Sequence, residues 1–108
     1  MTLALPAPIS AYLAAKNARD VDAMVAPFAD DAGVRDEEHE YRGRGEIHGW
    51  LRDVTGKYAV TVEPAAVASA GSKTIVSARI SGTFPGSPVM LDYVFTLANE
   101  RIARLEIG

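Results

Sequence analysis

The apolar positions near the start of the chain recur at helical spacing. Ile9, Tyr12 and Leu13, together with several alanines, fit one face of a helix between Pro8 and Lys16. Pro8 suits the first turn of such a helix, because the amide hydrogen that proline lacks would have no intrahelical partner there. The pattern therefore predicts a first helix over residues 8–16.

A second apolar stripe follows the polar segment NARD. It begins at Val21 and predicts a short helix of about nine residues. Asp20 suits the N-cap of this helix, because its carboxylate can accept hydrogen bonds from the free amides of the first turn. Pro27 lies inside the stripe and should kink or end the helix, since proline removes a backbone hydrogen bond. A short strand from about Ala32 to Glu37 is expected next.

The segment EIHGWLRDVTG predicts a third helix, because its apolar residues follow the i, i+3, i+4, i+7 spacing. Gly56 is expected to end this helix as a left-handed C-cap. From Tyr58 onward the period changes to two, which is typical of strands. Four strands are predicted, separated by turns such as AGSK and PGSP, over residues 58–67, 74–84, 89–97 and 101–107.

Three helices followed by long strands predict an α+β fold in which a curved antiparallel sheet wraps around the helices. The strand VMLDYVFTL is apolar on both faces. Only one of these faces can rest on the helices, whereas an antiparallel sheet commonly exposes its other face to water. A second copy of the chain would cover the outer face, so we expect a homodimer packed through the sheet.

The composition is that of one globular domain over residues 1–108, with 48% apolar and 23% charged residues. The net charge of −3, with 11 basic and 14 acidic residues and no basic block, argues against nucleic acid or an anionic membrane as a partner. The absence of cysteine excludes a disulfide framework and thiolate chemistry. The N-terminal MTLALPAPI has no basic n-region and is interrupted by prolines, so we expect a cytoplasmic protein.

Asp36 is the first candidate for chemistry. It lies two residues after Val34 on the predicted strand, so both side chains share one face, opposite Arg35 and Glu37. If Val34 is buried, Asp36 points inward as well. The competing interpretation is a solvated acidic loop, because the run DEEHE continues the negative charge.

Asp92 is the second candidate, since it lies in mid-strand between Met90 and Val94. Aspartate is disfavoured in strands and costly to bury, so its position calls for an explanation. To donate a hydrogen bond near neutral pH, its carboxyl would need a pKa raised by roughly 3 units. Only a nearly dry pocket can supply a shift of that size.

The segments AYLAAKNARDVDAMVAPFADDAGVRDE, YRGRGEIHGWL and VMLDYVFTL together resemble the SnoaL-like and ketosteroid-isomerase-like branch of the nuclear-transport-factor-2-like superfamily. The resemblance covers nearly the whole chain and is most specific from Tyr12 to Asp36. It implies a cone-shaped sheet that is closed by the helices and encloses a pocket. No cofactor is implied, and the expected partner is a small organic ligand.

The resemblance also implies roles for three residues. In bacterial ketosteroid isomerases an aspartate moves a proton between two carbons, while a tyrosine and a protonated aspartic acid hold the dienolate oxygen. Asp36 matches the base, Tyr12 the helical tyrosine and Asp92 the late-strand acid. The ligand pocket would be lined by Phe28, Val34, His39, Trp50, Met90 and Val94.

Two departures from the isomerase pattern keep other functions open. Glu37 follows Asp36 where the steroid enzymes carry a proline, and the next loop is shorter and more charged. A non-catalytic ligand-binding or dimerisation module therefore stays an alternative, as does a polyketide cyclase or an epoxide hydrolase. His39 and His48 have no partners at metal-ligand spacing, so no metal site is expected.

Overall fold

The computed structural model describes residues 4–108 as three helices and six strands. In chain order these elements are α1 (Ala7–Ala18), α2 (Val21–Val25), β1 (Phe28–Asp36), β2 (His39–Arg42), α3 (Gly43–Lys57), β3 (Val60–Ala70), β4 (Lys73–Gly82), β5 (Val89–Ala98) and β6 (Arg101–Ile107). The expectation of a cytoplasmic protein was based on the N-terminal segment MTLALPAPI, and residues 1–3 of this segment lie outside the described residues. No helix within residues 4–108 combines the length and the apolar character that crossing a bilayer requires.

The boundary between the first two helices agrees with the prediction. Arg19, in the left-handed conformation with a φ of 57°, ends α1. Asp20 is the N-cap of α2, and its side chain accepts a hydrogen bond of 3.2 Å from the amide of Ala23. However, α2 has only five residues instead of about nine. It ends before Pro27, because proline cannot continue the hydrogen-bond ladder, and β1 begins at the next residue.

The polar segment after β1 forms a strand that the apolar pattern did not predict. β2 pairs antiparallel with β1, and His39 lies directly opposite Asp36. α3 then begins at Gly43 and continues through Gly56 to Lys57, so the expected C-cap at Gly56 is wrong. Tyr58 is the C-cap, in an extended conformation that leads straight into β3.

The strands form a single sheet in the order β2-β1-β6-β5-β4-β3. Every neighbouring pair is antiparallel except β1 and β6, which are parallel. The predicted antiparallel sheet is confirmed, with β1 and β6 as the one parallel pair among its five neighbouring pairs. These two strands are connected through α3 and most of the sheet, so no tight hairpin turn dictates their direction.

The helices pack into the concave face of the curved, open sheet, and the core lies between the two layers. Fully buried side chains come from all three helices, from β1 and from β3 to β6, and the largest are Tyr12, Phe28, Phe95, Ile9, Met24, Ile47 and Leu51. Asn17 connects the end of α1 to β3, since its side-chain amide bonds both the N–H and the C=O of Val62. This α+β architecture confirms the predicted fold class.

Candidate functional site

A cavity of about 610 Å³ lies between the helices and one end of the sheet. Its wall is contributed by the end of α1, the β1–β2 hairpin, α3, and the ends of β3 to β6. The size is within the range of sites that hold small organic molecules. The wall is mainly apolar and aromatic and includes a few charged groups, which define the chemistry available.

Asp36 is the last residue of β1, and its carboxylate faces this cavity. The alternation along β1 explains the orientation, because Val34 is fully buried and Arg35 is exposed on the other face. The indole nitrogen of Trp50 donates a hydrogen bond of 3.2 Å to Oδ2 of Asp36. Burial raises the pKa of Asp36, and this indole hydrogen bond partly offsets the increase.

Two tyrosines lie near the same carboxylate. Tyr93 on β5 lines the cavity, and Tyr12 on α1 is fully buried, with its ring edge against Phe28 and Phe95. Burial raises the pKa of both phenols, and the negative charge of Asp36 raises it further. Within residues 4–108, the buried hydroxyl of Tyr12 has no hydrogen-bond partner.

Lys16 is a cation in the cavity wall that the sequence interpretation missed. It follows Tyr12 by four residues on α1, so the two side chains leave the helix on the same face. Burial lowers the pKa of its ammonium, and the nearby charge of Asp36 opposes this effect. Its spacing from Ile9 and Leu13 was the available signal, because Lys16 continues the apolar stripe of the helix.

An aromatic stack forms the wall beside Asp36. The rings of Tyr41 and Trp50 are stacked with their centroids 5.5 Å apart, and His39 also stacks on Tyr41, with the centroids 6.5 Å apart. The stack holds the indole in position and offers flat apolar surface to a ligand. Arg19 and Lys57 add positive charge to the lining of the cavity.

The model of the SnoaL-like domain matches residues 9–105. The chain belongs to the SnoaL-like family. No curated protein matches the sequence of this SnoaL-like domain.

Solved structures share the architecture of the SnoaL-like domain. A Sinorhizobium meliloti protein, whose assignment as a polyketide cyclase is provisional, is 40% identical with a TM-score of 0.92, and the match covers 96% of this chain and 95% of that one. A Catenulispora acidiphila protein with a ketosteroid isomerase-like fold, in complex with trimethylamine, is 21% identical with a TM-score of 0.85, over 97% and 86% of the two chains. An epoxide hydrolase/cyclase-like enzyme of pyran ring formation in salinomycin is 22% identical with a TM-score of 0.80, over 93% and 85%. The last two likenesses concern the fold alone.

The SnoaL-like domain brings several of the predicted site residues together. His39 and Trp50 line the cavity with Asp36, whereas Tyr12 is fully buried in the core near Asp36 and does not line the cavity. Phe28 and Val34 are fully buried in the core and do not line the cavity. His48 lies elsewhere, where it contacts Asp22 on α2 at 3.0 Å.

The predicted positions of Asp92, Met90 and Val94 in the pocket of the SnoaL-like domain are wrong. All three lie on the outer face of β5, where Asp92 is exposed and accepts a 2.8 Å hydrogen bond from Ser77, and 59% of Met90 is exposed. The inner face of β5 instead carries Leu91, Tyr93, Phe95 and the residues in line with them. The larger aromatic side chains fill the core, so the acid between them points out.

Proposed function

We propose that this SnoaL-like domain binds a small organic carbonyl compound and that Asp36 removes a proton from the carbon next to the carbonyl. The observation that carries the proposal is a partly buried carboxylate in the cavity wall, held by the indole N–H of Trp50. Burial raises the pKa of this carboxylate and so makes it a stronger base than an exposed aspartate. A positioned base of this kind contributes roughly 10²- to 10⁴-fold to the rate.

Removal of the proton leaves negative charge on the carbonyl oxygen, which needs hydrogen-bond donors. Tyr93 presents a phenol to the cavity. Tyr12 is fully buried and does not line the cavity, and its unpartnered hydroxyl belongs to the core near Tyr93 and Asp36. Because the pKa of each phenol is raised, both stay protonated at neutral pH and keep their donor hydrogens. In our proposal Tyr93 takes the role of direct donor that the sequence interpretation gave to Tyr12 and Asp92.

Removal of a proton next to a carbonyl is compatible with the reaction named for one relative, although the proposal does not depend on that relative. Aldol closure of a polyketide ring begins with loss of a proton next to a carbonyl, and the 40% identical Sinorhizobium meliloti protein is provisionally assigned as a polyketide cyclase. Isomerisation of an unsaturated ketone begins with the same step. We therefore propose the proton transfer alone, because the later reaction of the enolate depends on the substrate.

Deuterium exchange into a ketone tests the proposal directly. We expect the protein to accelerate exchange at the activated CH₂ of 2-tetralone in D₂O, as followed by proton NMR. Asp36→Asn should slow the catalysed exchange by at least about 100-fold, because the amide cannot accept the proton. Asp31→Asn is the matched control, since Asp31 is an exposed aspartate on the same strand.

Two results would contradict this assignment of Asp36. Exchange that survives in Asp36→Asn would move the base to another residue. Saturable binding of 2-tetralone without any acceleration of exchange would make the protein a ligand-binding module instead of an enzyme.

We also propose that the outer face of the sheet joins two copies of the chain. Met90 is the large apolar side chain most exposed on this face, and the half-buried Ile75 and Val94 lie opposite each other on β4 and β5. A homodimer would remove these side chains from water and leave the cavity, on the concave side, open.

A further inference from the structure

The charged groups of the cavity are not paired with one another. Lys16 and Asp36 both belong to its wall, and each affects the pKa of the other. Yet among the ion pairs and side-chain hydrogen bonds of residues 4–108, none involves the ammonium of Lys16. A half-buried ammonium without a partner is costly, because the surrounding protein replaces only part of its hydration.

The position of Lys16 explains why the protein would keep such a group. It follows Tyr12 by one turn of α1, so it enters the cavity from the helix side, whereas Asp36 enters from the end of β1. Arg19, one turn further along, adds a second positive charge to the same wall. A ligand in the cavity can therefore contact the base at the end of β1 and the cations of the α1 end at the same time.

We propose that the substrate of this site carries a carboxylate and that this carboxylate pairs with Lys16. A keto acid would satisfy both sides of the cavity, with its anionic group on Lys16 and its acidic C–H next to Asp36. The pairing would supply the partner that the ammonium lacks in the protein, and it would fix the direction in which the ligand enters. The substrate class rests on the function proposed above, whereas the binding of a carboxylate at Lys16 does not.

A matched pair of inert probes tests the carboxylate preference. Adamantane-1-carboxylate and adamantane-1-carboxamide have nearly the same shape and differ in charge, and neither absorbs where tryptophan is excited. Trp50 is the single tryptophan of the chain and borders the cavity, so its fluorescence reports binding of either probe. We expect the carboxylate to bind at least about ten-fold more tightly than the amide at pH 7.5.

Lysine variants locate the origin of the preference. Lys16→Met keeps most of the length of the side chain and removes the charge, so it should remove most of the preference for the carboxylate. Lys16→Arg should restore most of it. Lys73→Met is the control, because it removes an exposed lysine at the β3–β4 turn, outside the cavity wall.

Each outcome bears on one proposal. Equal affinity for the two probes, no saturable binding of the carboxylate at millimolar concentration, or a preference of unchanged size in Lys16→Met would overturn the assignment of Lys16. The variant Asp36→Asn should keep the carboxylate preference and lose deuterium exchange. If Asp36→Asn loses exchange but the wild type shows no preference for the carboxylate, only the role of Lys16 is rejected. If the wild type prefers the carboxylate but exchange survives in Asp36→Asn, only the role of Asp36 is rejected.

Discussion

Trp50 on α3 and Asp36 at the end of β1 are joined by a hydrogen bond, with 3.2 Å between the indole nitrogen and Oδ2. This contact fixes the carboxylate relative to the helix layer. It also adjusts its basicity, because a donor to the ionised form opposes the increase in pKa that burial causes. The stacked ring of Tyr41 restricts the indole in turn, so the orientation of the base depends on three consecutive layers of side chains.

Replacement of Trp50 by phenylalanine should change the pH dependence of deuterium exchange. Loss of the indole donor raises the pKa of Asp36 further, so the rising limb of the pH–rate profile moves to higher pH. The rate falls most at acidic pH and approaches that of the wild type once Asp36 is ionised in both proteins. The carboxyl ¹³C shift of Asp36, followed by NMR, should move in the same direction. A limb that stays in place would mean that the indole only positions the carboxylate.

The replacement Asp36→Asn should stabilise the protein at neutral pH while it removes activity. Burial raises the pKa of Asp36 in the folded state above its unfolded value of about 3.9, so the folded protein binds the proton more tightly. The stability that this group contributes is present below the unfolded pKa and is lost as the pH rises through the folded pKa. Asparagine is neutral throughout and avoids this loss.

Thermal unfolding at several pH values measures the effect. We expect Asp36→Asn to melt at a higher temperature than the wild type at pH 7, and the difference should disappear as the pH falls below about 4. Asp31→Asn, which removes an exposed charge from the same strand, controls for the change in net charge. A variant that is less stable than the wild type at pH 7 would show that the carboxylate contributes more by its contacts than it costs by its burial.

The sequence pattern was sufficient for the inward orientation of Asp36 but not for that of Asp92. On β1, a buried Val34 next to the exposed Arg35 leaves one possible phase for the alternation. On β5, both phases are apolar, so periodicity alone does not distinguish the core face from the outer face. Which face of β5 is buried depends on the volume that Tyr93 and Phe95 fill against α1, and this volume is a property of the folded core.

Two further features were missed for different physical reasons. The strand β2 is mostly exposed and polar, so it has no apolar alternation and is defined only by its pairing with β1. Lys16 was not predicted as a site residue, because a lysine at the end of a helix is commonly solvated. Its position on the buried stripe becomes informative only when the cavity beside α1 is known.

The Asn17 side chain should be important for the stability of the fold. Its Oδ1 accepts from the amide of Val62 at 2.7 Å and its Nδ2 donates to the carbonyl of Val62 at 3.0 Å, so it occupies the open edge of β3. Asn17→Ala would leave two backbone groups of a buried residue without partners, which should cost roughly 2 kcal/mol in the free energy of unfolding. Urea denaturation measures this loss.

A second change on the same helix serves as the control for Asn17→Ala. Ser10 is exposed on α1, and Ser10→Ala should change the stability by less than about 0.5 kcal/mol. Equal effects of the two substitutions would mean that the bonds to Val62 form equally well with water in the folded state.

The proposed dimer should depend on Met90. Sedimentation velocity at micromolar concentration is expected to give twice the mass of the chain for the wild type. Met90→Glu should weaken association by at least about ten-fold, because two-fold symmetry would bury a carboxylate from each copy in the same interface. The monomer should tolerate the change, since Arg79 lies opposite Met90 on β4 and can pair with the new carboxylate.

Ala14→Glu, on the exposed side of α1, should leave the dimer intact. A wild type that sediments as a monomer, or a Met90→Glu variant that associates as strongly as the wild type, would mean that the apolar outer face of β5 does not join two copies of this chain.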